Sequence, residues 1–272
     1  SGTTGQPKGS VHTHGVRSQY CTLFASTFRM VPESTLLQSG ALVFNGAVMG
    51  FMPWMYLGCS YILHESFDAG REIAEIDARQ VTPIILVPSL IIALLNHPAF
   101  ASVKLASLEM IASLGAPLLL EYKKRLNDVL PGRFCELYGL TEGFMTKLDQ
   151  RDAMRKVGSV GVPLTFMDMK IVDGEGNEFA AGEVGESCGR GPLLMPGYYI
   201  RPDLTAVAIV DGWLRTGDLG YVDDEGFLHL VDRVKDMIIS GGVNVYPKDI
   251  EEVVVAHPAV VEVAVFGVPD NK

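Results

Sequence analysis

The first residues of the chain combine hydrogen-bond donors and a cation in a way that suits phosphate binding. The segment SGTTGQPKG sets hydroxyl and amide groups among three glycines and carries Lys8 near its end. Glycine lets successive backbone N–H groups converge on an anion, hydroxyl groups add donors, and the lysine adds positive charge. The spacing differs from the GxxxxGKS or GxxxxGKT of a Walker loop. By composition alone, a phosphate site and a flexible surface turn are equally good interpretations.

A second polar motif directly follows a predicted strand. In the sequence YGLTE, Tyr138 offers an aromatic face to a nucleobase, and Thr141 and Glu142 offer neighbouring oxygens. Ligands of open α/β sheets bind beyond the carboxyl ends of strands, and a hydroxyl beside a carboxylate suits a hydrated Mg²⁺ that holds phosphates. The alternative is a strand that ends in a capped turn without further function.

Two later segments present isolated charges. Asp218 lies in the otherwise uncharged turn TGDLG, where its carboxylate could accept both hydroxyl groups of a ribose. A turn-forming aspartate is the alternative, because aspartate is common in turns. The segment RVKDMIISGGVN of residues 233–244 sets Arg233 and Lys235 before an apolar strand and a Gly-Gly turn. An ordinary charged linker would have the same composition.

Taken in order, these motifs resemble those of one family. SGTTGQPKG, the GAP of residues 115–117, YGLTE, the GYY near residue 197, TGDLG and RVKDMIISGG follow one another as in the adenylate-forming enzymes. That family includes acyl-CoA synthetases, firefly-type luciferases and the adenylation domains of non-ribosomal peptide synthetases. The resemblance covers nearly the whole chain. It implies activation of a carboxylic acid by ATP and Mg²⁺ to an acyl-adenylate, release of pyrophosphate, and transfer of the acyl group to the thiol of CoA.

The resemblance also implies a role for each matching residue. The loop that holds the β- and γ-phosphates matches Ser1, Thr3, Thr4 and Lys8. The adenosine positions match Gly115, Ala116, Pro117, Glu136 and Tyr138 around the base, and Asp218 and Arg233 at the ribose. Thr141 matches a phosphate contact, and Glu142 matches the Mg²⁺ ligand. Lys235 matches the hinge of a mobile small domain, and the loop that lines the CoA channel matches Gly241 and Gly242.

One position departs from the family's pattern. Acyl-CoA synthetases usually carry an aromatic–histidine pair near the acid pocket, and amino-acid-activating members carry an aspartate there. The matching residues here include Asn45 and Gly46. An uncharged asparagine cannot pair with an α-ammonium group, and an unpaired buried charge is costly. The methionine-rich residues 48–55 could line an acyl pocket or pack in the core. A fatty or aromatic monocarboxylate is the expected substrate, and Asn45→Asp is expected to impair its acylation.

The same resemblance predicts a central fragment of a longer enzyme. The essential lysine of the family lies well beyond residue 272, and the subdomain that precedes SGTTG in relatives is missing. Residues 1–232 are expected to belong to the large adenylation domain, and residues 233–272 to the hinge and the start of a small C-terminal domain. Alone, the chain is expected to catalyse adenylation very weakly, which pyrophosphate exchange by this chain and by a longer form would test.

The elements that must position these motifs are visible in the hydrophobic pattern. Between residues 61 and 138, short apolar runs alternate with amphipathic segments, which predicts an α/β fold with a mostly parallel sheet and flanking helices. Ser89 is expected to cap one helix, and Pro117 lies at the expected start of another. From about residue 157, frequent glycines and period-2 alternation predict an antiparallel β region. A helix from Pro247 and a strand over residues 260–268 then begin a small α+β unit.

Composition excludes several classes of protein. Apolar residues make up 48% and charged residues 20% of the 272 residues, which suits a packed core and excludes a disordered chain. A net charge of −10 without a basic block argues against nucleic-acid binding. Proline and glycine interrupt the uncharged residues 34–63, so buried strand, loop and helix are expected there and a transmembrane segment is not. Four cysteines without a CxxC spacing indicate free thiols and a cytoplasmic protein.

Three interpretations of the function remain open from the sequence. An acyl-CoA ligase is favoured by the segment RVKDMIISGGVNVYP, which resembles fatty- and aryl-acid CoA ligases. The second is an adenylation module that hands its acyl group to a carrier protein. The third is a relative that only binds nucleotide. Release of free acyl-CoA on addition of CoA separates the first from the second, and turnover excludes the third.

Overall fold

Strands and helices alternate along the first half of the chain. The computed structural model describes residues 7–101, 105–240, 243–255, 257, 259–260 and 263–268. The helices of this half are α1 (His14–Thr27), α2 (Asn45–Leu57), α3 (Ala69–Arg79), α4 (Pro88–Asn96) and α5 (Leu120–Val129), with a 3₁₀ helix at Pro98–Ala101. The strands are β1 (Thr35–Ser39), β2 (Ser60–His64), β3 (Pro83–Leu86), β4 (Met110–Leu114) and β5 (Phe134–Gly139).

The second half consists mainly of strands. Those before residue 200 are β6 (Met145–Leu148), β7 (Ser159–Pro163), β8 (Asp168–Val172) and β9 (Gly185–Arg190). Those after it are β10 (Ile209–Val210), β11 (Trp213–Val222), β12 (Leu228–Arg233), β13 (Ile238–Ser240) and β14 (Val243–Val245). Two helices complete the described part of this half: α6 (Pro202–Ala208) and α7 (Pro247–Val255).

A single sheet of 12 strands joins the two halves. Its order is β2-β1-β3-β4-β5-β6-β7-β12-β11-β9-β8, with β10 paired to β11. The pairings from β2 to β5 are parallel, and those beyond β5 are antiparallel. Strands β13 and β14 pair with each other outside this sheet. The expected parallel sheet, flanking helices and antiparallel region are confirmed, and the structure adds that one sheet contains both strand arrangements.

Two apolar clusters cover opposite faces of the parallel strands. Tyr20 and Phe24 of α1 belong to one cluster, and Ile76 of α3 belongs to the other. Leu36 and Leu37 are neighbours in β1 but belong to different clusters, because successive side chains of a strand point to opposite faces. The methionine-rich segment contributes to the first cluster through Val48, Met49, Met52 and Trp54. Core packing therefore accounts for these side chains.

Three local predictions are wrong. Helix α4 begins at Pro88, and its N-cap is Val87 rather than Ser89, because proline suits the first helical position, where no N–H is needed. Helix α5 begins at Leu120, since the chain is still extended at its N-cap, Leu119, two residues after Pro117. Residues 263–268, the described end of the strand expected over 260–268, form no strand and pair with none of the described strands.

The uncharged residues 34–63 form β1, α2 and β2, as the sequence indicated. None of the helices in the described ranges combines the length and the apolar character that crossing a bilayer requires. All four cysteines are free thiols, with Cys21 half-buried and the other three buried. Burial raises the pKa of Cys135 to about 12, which keeps this thiol protonated and unreactive.

Candidate functional site

The predicted motifs converge where the sheet changes from parallel to antiparallel. Residues 140–144 connect β5 to β6, and the Leu140 N–H donates to the Phe144 carbonyl at 3.0 Å. The turn after β4 lies beside them and contains Gly115 at φ 91°, a backbone conformation that suits glycine. Both segments follow the carboxyl ends of parallel strands, which is where open α/β sheets form ligand crevices.

A cavity of about 290 Å³ lies at these strand ends. Its lining combines the predicted adenosine positions with residues of β12 and α7: Gly115, Ala116, Pro117, Glu136, Tyr138, Asp218, Asp232, Arg233 and Lys248 among them. Each of the predicted adenosine positions therefore lines one cavity, although the residues come from widely separated parts of the sequence.

Asp218 is a carboxylate of this cavity that is held by several partners. It is 7% exposed, and its Oδ2 accepts a hydrogen bond of 2.6 Å from the Tyr138 hydroxyl. The pairing of β11 with β12 sets Arg233 opposite Asp218, and the Arg233 Nε lies 3.3 Å from Asp218 Oδ1. The Asp218 backbone N–H donates to Thr216 Oγ1 at 3.1 Å. The carboxylate is therefore fixed in position at the wall of the cavity.

Burial sets the protonation of this pair. Burial raises the pKa of Asp218, and the hydrogen bond from Tyr138 and the charge of Arg233 oppose that rise. Burial and the neighbouring Asp218 raise the pKa of Tyr138 well above its usual value. Tyr138 consequently remains a hydrogen-bond donor at neutral pH, and it is one of the residues that line the cavity.

Glu136 has a structural partner that the sequence did not reveal. Its Oε2 lies 2.5 Å from the Nζ of Lys123, with side chains 6% exposed for the lysine and 5% for the glutamate. Its Oε1 accepts the Leu118 N–H at 3.3 Å. The carboxylate thus fastens α5 to β5 beside the cavity. Direct contact between Glu136 and a base stays a prediction.

A second group of charged residues lies on the other side of the 140–144 turn. The Tyr198 hydroxyl donates to Glu142 Oε1 at 2.7 Å, and the Lys8 Nζ lies 3.4 Å from the same hydroxyl. Glu142 is 6% exposed, and its backbone carbonyl accepts from the Met195 N–H at 2.9 Å. Burial and Glu142 raise the pKa of Tyr198, so the phenol remains a donor. These three residues are called the phosphate-side cluster below.

No sequence motif assigns a role to Tyr198, which belongs to the GYY of residues 197–199. Its place depends on a bridge between Ser10 and Tyr198 that runs antiparallel, flanked by hydrogen bonds from Tyr199 to Gly9 at 2.7 Å and from Val11 to Gly197 at 3.0 Å. This pairing brings Lys8 and Glu142 to the same phenol.

Asn45 lies apart from the cavity lining, at the start of α2. Its Oδ1 accepts from an Arg17 guanidinium N–H at 3.0 Å and lies 3.4 Å from the Tyr20 hydroxyl. The neighbouring Gly46 faces Leu114, whose Cδ1 would lie 3.4 Å from an added Cβ. The expected effect of Asn45→Asp needs correction, because a carboxylate here would have the Arg17 cation beside it and would not be an unpaired charge. Whether Asn45 and Gly46 line an acyl pocket stays a prediction.

The remaining predicted residues divide into two groups. Lys235 is exposed in the turn after β12, with its Nζ 3.2 Å from Asp236 Oδ1, and its hinge role stays a prediction. Five residues lie outside the described ranges: Ser1, Thr3, Thr4, Gly241 and Gly242.

Gly143 follows Glu142 in the turn and lies where the backbone leaves no room for a side chain. Its φ is 113°, and an added Cβ would overlap the backbone carbonyl of Leu193. We expect Gly143→Ala to lower the free energy of unfolding by about 3 kcal/mol or more, because left-handed strain and a backbone overlap add. Urea unfolding measures the loss. Gly174→Ala is the matched control, since no atom lies within 4 Å of its added Cβ. Equal midpoints for the two variants would contradict the described packing.

The cavity lies at the carboxyl ends of parallel strands and has a fixed carboxylate on one side, with a lysine and a second carboxylate nearby. This arrangement is typical of nucleotide-binding α/β proteins. Comparison with known sequences identifies the family within this class. The chain belongs to the AMP-binding enzyme family, which matches residues 1–199.

Individual relatives are CoA-ligating enzymes. The chain is 37% identical over 276 residues to a feruloyl-CoA synthase of an Amycolatopsis species, covering 100% of this chain and 56% of that protein. It is 36% identical to a medium/long-chain-fatty-acid–CoA ligase of Mycobacterium tuberculosis, covering 100% of this chain and 48% of that protein. The chain thus spans about half the length of these relatives.

The fold matches solved structures as well. One is the o-succinylbenzoate CoA synthetase of Bacillus subtilis in complex with ATP and a magnesium ion. Its sequence is 32% identical to this chain, and the two structures superpose with a TM-score of 0.90, covering 99% of this chain and 56% of the synthetase.

Proposed function

We propose that the chain carries the nucleotide site of an ATP-dependent acid–thiol ligase. A carboxylate oxygen of the acid attacks the α-phosphorus of ATP, an acyl–phosphate bond forms, and pyrophosphate leaves. The thiol of CoA then attacks the acyl carbon, the thioester forms, and AMP leaves. The observation that carries this proposal is that a single turn, residues 140–144, separates the buried Asp218 carboxylate from the phosphate-side cluster.

Each side of the turn has a separate task in this proposal. Tyr138 lies against the base, and Asp218 accepts the two ribose hydroxyls with Arg233 beside it. Lys8 and Thr141 neutralise and hold the phosphates. Two anions must approach each other in the first step, so fixed cations and donors lower the barrier by positioning and charge neutralisation.

Glu142 suits the Mg²⁺ that accompanies ATP. Mg²⁺ prefers oxygen ligands and commonly takes only one or two carboxylates, with water and substrate phosphates filling the other positions. Glu142 offers a buried carboxylate whose Oε1 is oriented by the Tyr198 hydroxyl, and Thr141 is its neighbour in the chain. When bound, the cation would neutralise charge on the phosphates, while the Tyr198 hydroxyl keeps the carboxylate in place.

Three further parts of the proposal concern the whole protein. A fatty or aromatic acid is the substrate we favour, in agreement with the feruloyl and fatty-acyl names of the relatives. A domain boundary near residue 233 is supported by the end of β12 at Arg233, after which β13 and β14 form a separate sheet. The free cysteines favour a cytoplasmic location.

Acid-dependent ATP–pyrophosphate exchange tests the proposed reaction. A panel of fatty and aromatic acids is incubated with the whole protein, ATP and Mg²⁺, and AMP and acyl-CoA are measured with and without CoA. We expect exchange with at least one acid and CoA-dependent release of acyl-CoA. Acyl-adenylate without acyl-CoA on adding CoA would indicate a carrier protein as the acceptor. Absence of ATP and AMP binding would overturn the proposal.

Glu142→Gln tests the magnesium role by itself. The amide keeps an oxygen that accepts the Tyr198 hydroxyl but loses the charge. We expect the gain in ATP affinity on adding Mg²⁺ to fall by about tenfold or more, because charged contacts contribute about 1.5–3 kcal/mol. Calorimetric titration of ATP with Mg²⁺ or with EDTA measures this gain. Glu33→Gln, an exposed control, should retain it. A full gain in both variants would count against Glu142 as the ligand.

A further inference from the structure

His12 touches the magnesium motif, although no motif in the sequence assigned it a role. Its Nε2 lies 2.8 Å from the backbone carbonyl of Thr141. The two residues are far apart in sequence, and the contact spans the space between the Lys8 segment and the 140–144 turn. Thr141 and Glu142 are adjacent, so whatever fixes the Thr141 peptide also sets the direction of the Glu142 side chain.

The hydrogen bond to Thr141 determines which tautomer the His12 imidazole adopts. A carbonyl oxygen only accepts hydrogen bonds, so His12 Nε2 carries the proton. Nδ1 is buried and has no hydrogen-bond partner among the described residues. A second proton, on Nδ1, would have no acceptor there. Burial and the Arg17 charge lower the pKa of His12, and they outweigh the Thr141 hydrogen bond and the Glu142 charge, which raise it. At neutral pH the ring is therefore a neutral Nε2–H donor.

The ring is also held from the side that faces α1. It meets the Tyr20 ring edge-on, with centroids 6.0 Å apart and planes at 85°. Tyr20 is fully buried and is itself packed edge-on against Phe24 at 4.8 Å. Because the aromatic core fixes Tyr20, the imidazole cannot turn away from Thr141 without losing this packing.

We propose that His12 is a positioning residue that holds the Thr141–Glu142 backbone in the geometry needed to bind ATP with Mg²⁺. This role rests on the proposed function of Glu142. His12 contacts no substrate atom; it acts through the peptide that carries the metal ligand. It should therefore influence the magnesium-dependent part of ATP binding and leave the ribose and base contacts unaffected.

Three variants separate this role from general stability. His12→Leu removes the donor and keeps an apolar filling beside Tyr20. His12→Gln keeps an N–H donor of similar reach without an imidazole. His14→Leu makes the same change at the exposed first residue of α1. Circular dichroism and the unfolding midpoint check that each variant folds.

The measurement is calorimetric titration of each full chain with AMP, with ATP and EDTA, and with ATP and Mg²⁺. For His12→Leu we expect the Mg²⁺-dependent gain in ATP affinity to fall about tenfold, the effect of losing one well-placed hydrogen bond in a buried site. AMP affinity should stay within about twofold of the wild type. His12→Gln should recover most of the gain, and His14→Leu should retain all of it.

The outcomes distinguish the two proposals. A wild-type chain that binds neither AMP nor ATP defeats the proposed nucleotide site. A wild-type chain that binds both, with a His12→Leu variant that keeps the full Mg²⁺ gain, defeats the positioning role alone. Equal losses of AMP and ATP affinity in His12→Leu also defeat it, because they show a general structural effect.

Discussion

Asp218→Ala is expected to weaken AMP binding about a hundredfold, because two charge-assisted hydrogen bonds to the ribose are lost at about 1.5–3 kcal/mol each, before compensation by water. Calorimetry or fluorescence titration with AMP measures the change. The variant also leaves the Tyr138 hydroxyl without its acceptor, which alone lowers stability. Asp218→Asn keeps an acceptor for Tyr138 and isolates the loss of charge; about a tenfold weakening is expected for it.

A modified ligand makes the assignment specific to the ribose. The ligand 2′,3′-dideoxy-AMP lacks both ribose hydroxyls and should bind the wild type more weakly than AMP does. The Asp218→Ala variant should bind the two ligands about equally, because the free-energy effects of removing two groups that contact each other do not add. Asp224→Ala, in an exposed turn, is the control and should bind like the wild type. If removal of the two hydroxyls weakens binding by the same factor in the wild type and in Asp218→Ala, Asp218 does not hold the ribose.

The pH dependence of AMP binding follows from the same residue. The ribose contact requires the carboxylate form, and burial raises the pKa of Asp218 above that of an ordinary aspartate. As the pH falls, Asp218 is protonated earlier than an exposed aspartate, so AMP affinity should begin to fall at a correspondingly higher pH. Asp218→Asn should lack this part of the pH profile.

The second large effect concerns the buried Lys123–Glu136 ion pair. We expect Lys123→Met to lower the free energy of unfolding by about 3–5 kcal/mol, because it leaves the Glu136 carboxylate buried without a cation. Denaturant unfolding at pH 7 measures the loss. Lys124→Met, a neighbouring exposed position of α5, is the matched control and should change stability by less than about 0.5 kcal/mol.

A double variant shows whether the loss of stability in Lys123→Met comes from the unpaired charge of Glu136. Lys123→Met with Glu136→Gln removes both charges and keeps an oxygen that can accept the Leu118 N–H. It should recover at least half of the lost stability, since neutral replacement of a buried ion pair is often tolerated. No recovery in the double variant would point to lost packing instead.

The sequence predicts elements best where several local signals agree. Helix α3, Ala69–Arg79, lies within residues 61–138, where the hydrophobic pattern predicts strands that alternate with amphipathic helices. Asp68 caps it by accepting the Arg71 N–H at 2.8 Å, and Ile73 and Ile76 face the core. A cap, a period of three to four residues and a suitable length all indicate the same element there.

Local signals could not reveal contacts that the fold alone creates. Lys123 has a second lysine beside it and is followed by an arginine, a pattern typical of an exposed helix face, yet the sheet places Glu136 beneath it. His12 looks like a loop residue, and only the return of the 140–144 turn gives it a partner. Ser89 resembles a cap, but the preceding proline takes the first helical position. Pairing between distant segments decides the first two, whereas the Ser89 prediction fails for a local reason, the proline that precedes it.

The antiparallel bridge at Ser10 and Tyr198 has a consequence for how the protein folds. The Lys8–Tyr198 contact joins residues 190 positions apart, so the phosphate-side cluster depends on one of the most non-local contacts of the chain. Contacts of such high sequence separation form late, after local helices and hairpins. A partly folded chain therefore lacks this side of the site. A ligand that engages this side of the site binds only the finished fold, and it would raise the free energy of unfolding by about 2.7 kcal/mol at a hundred times its Kd.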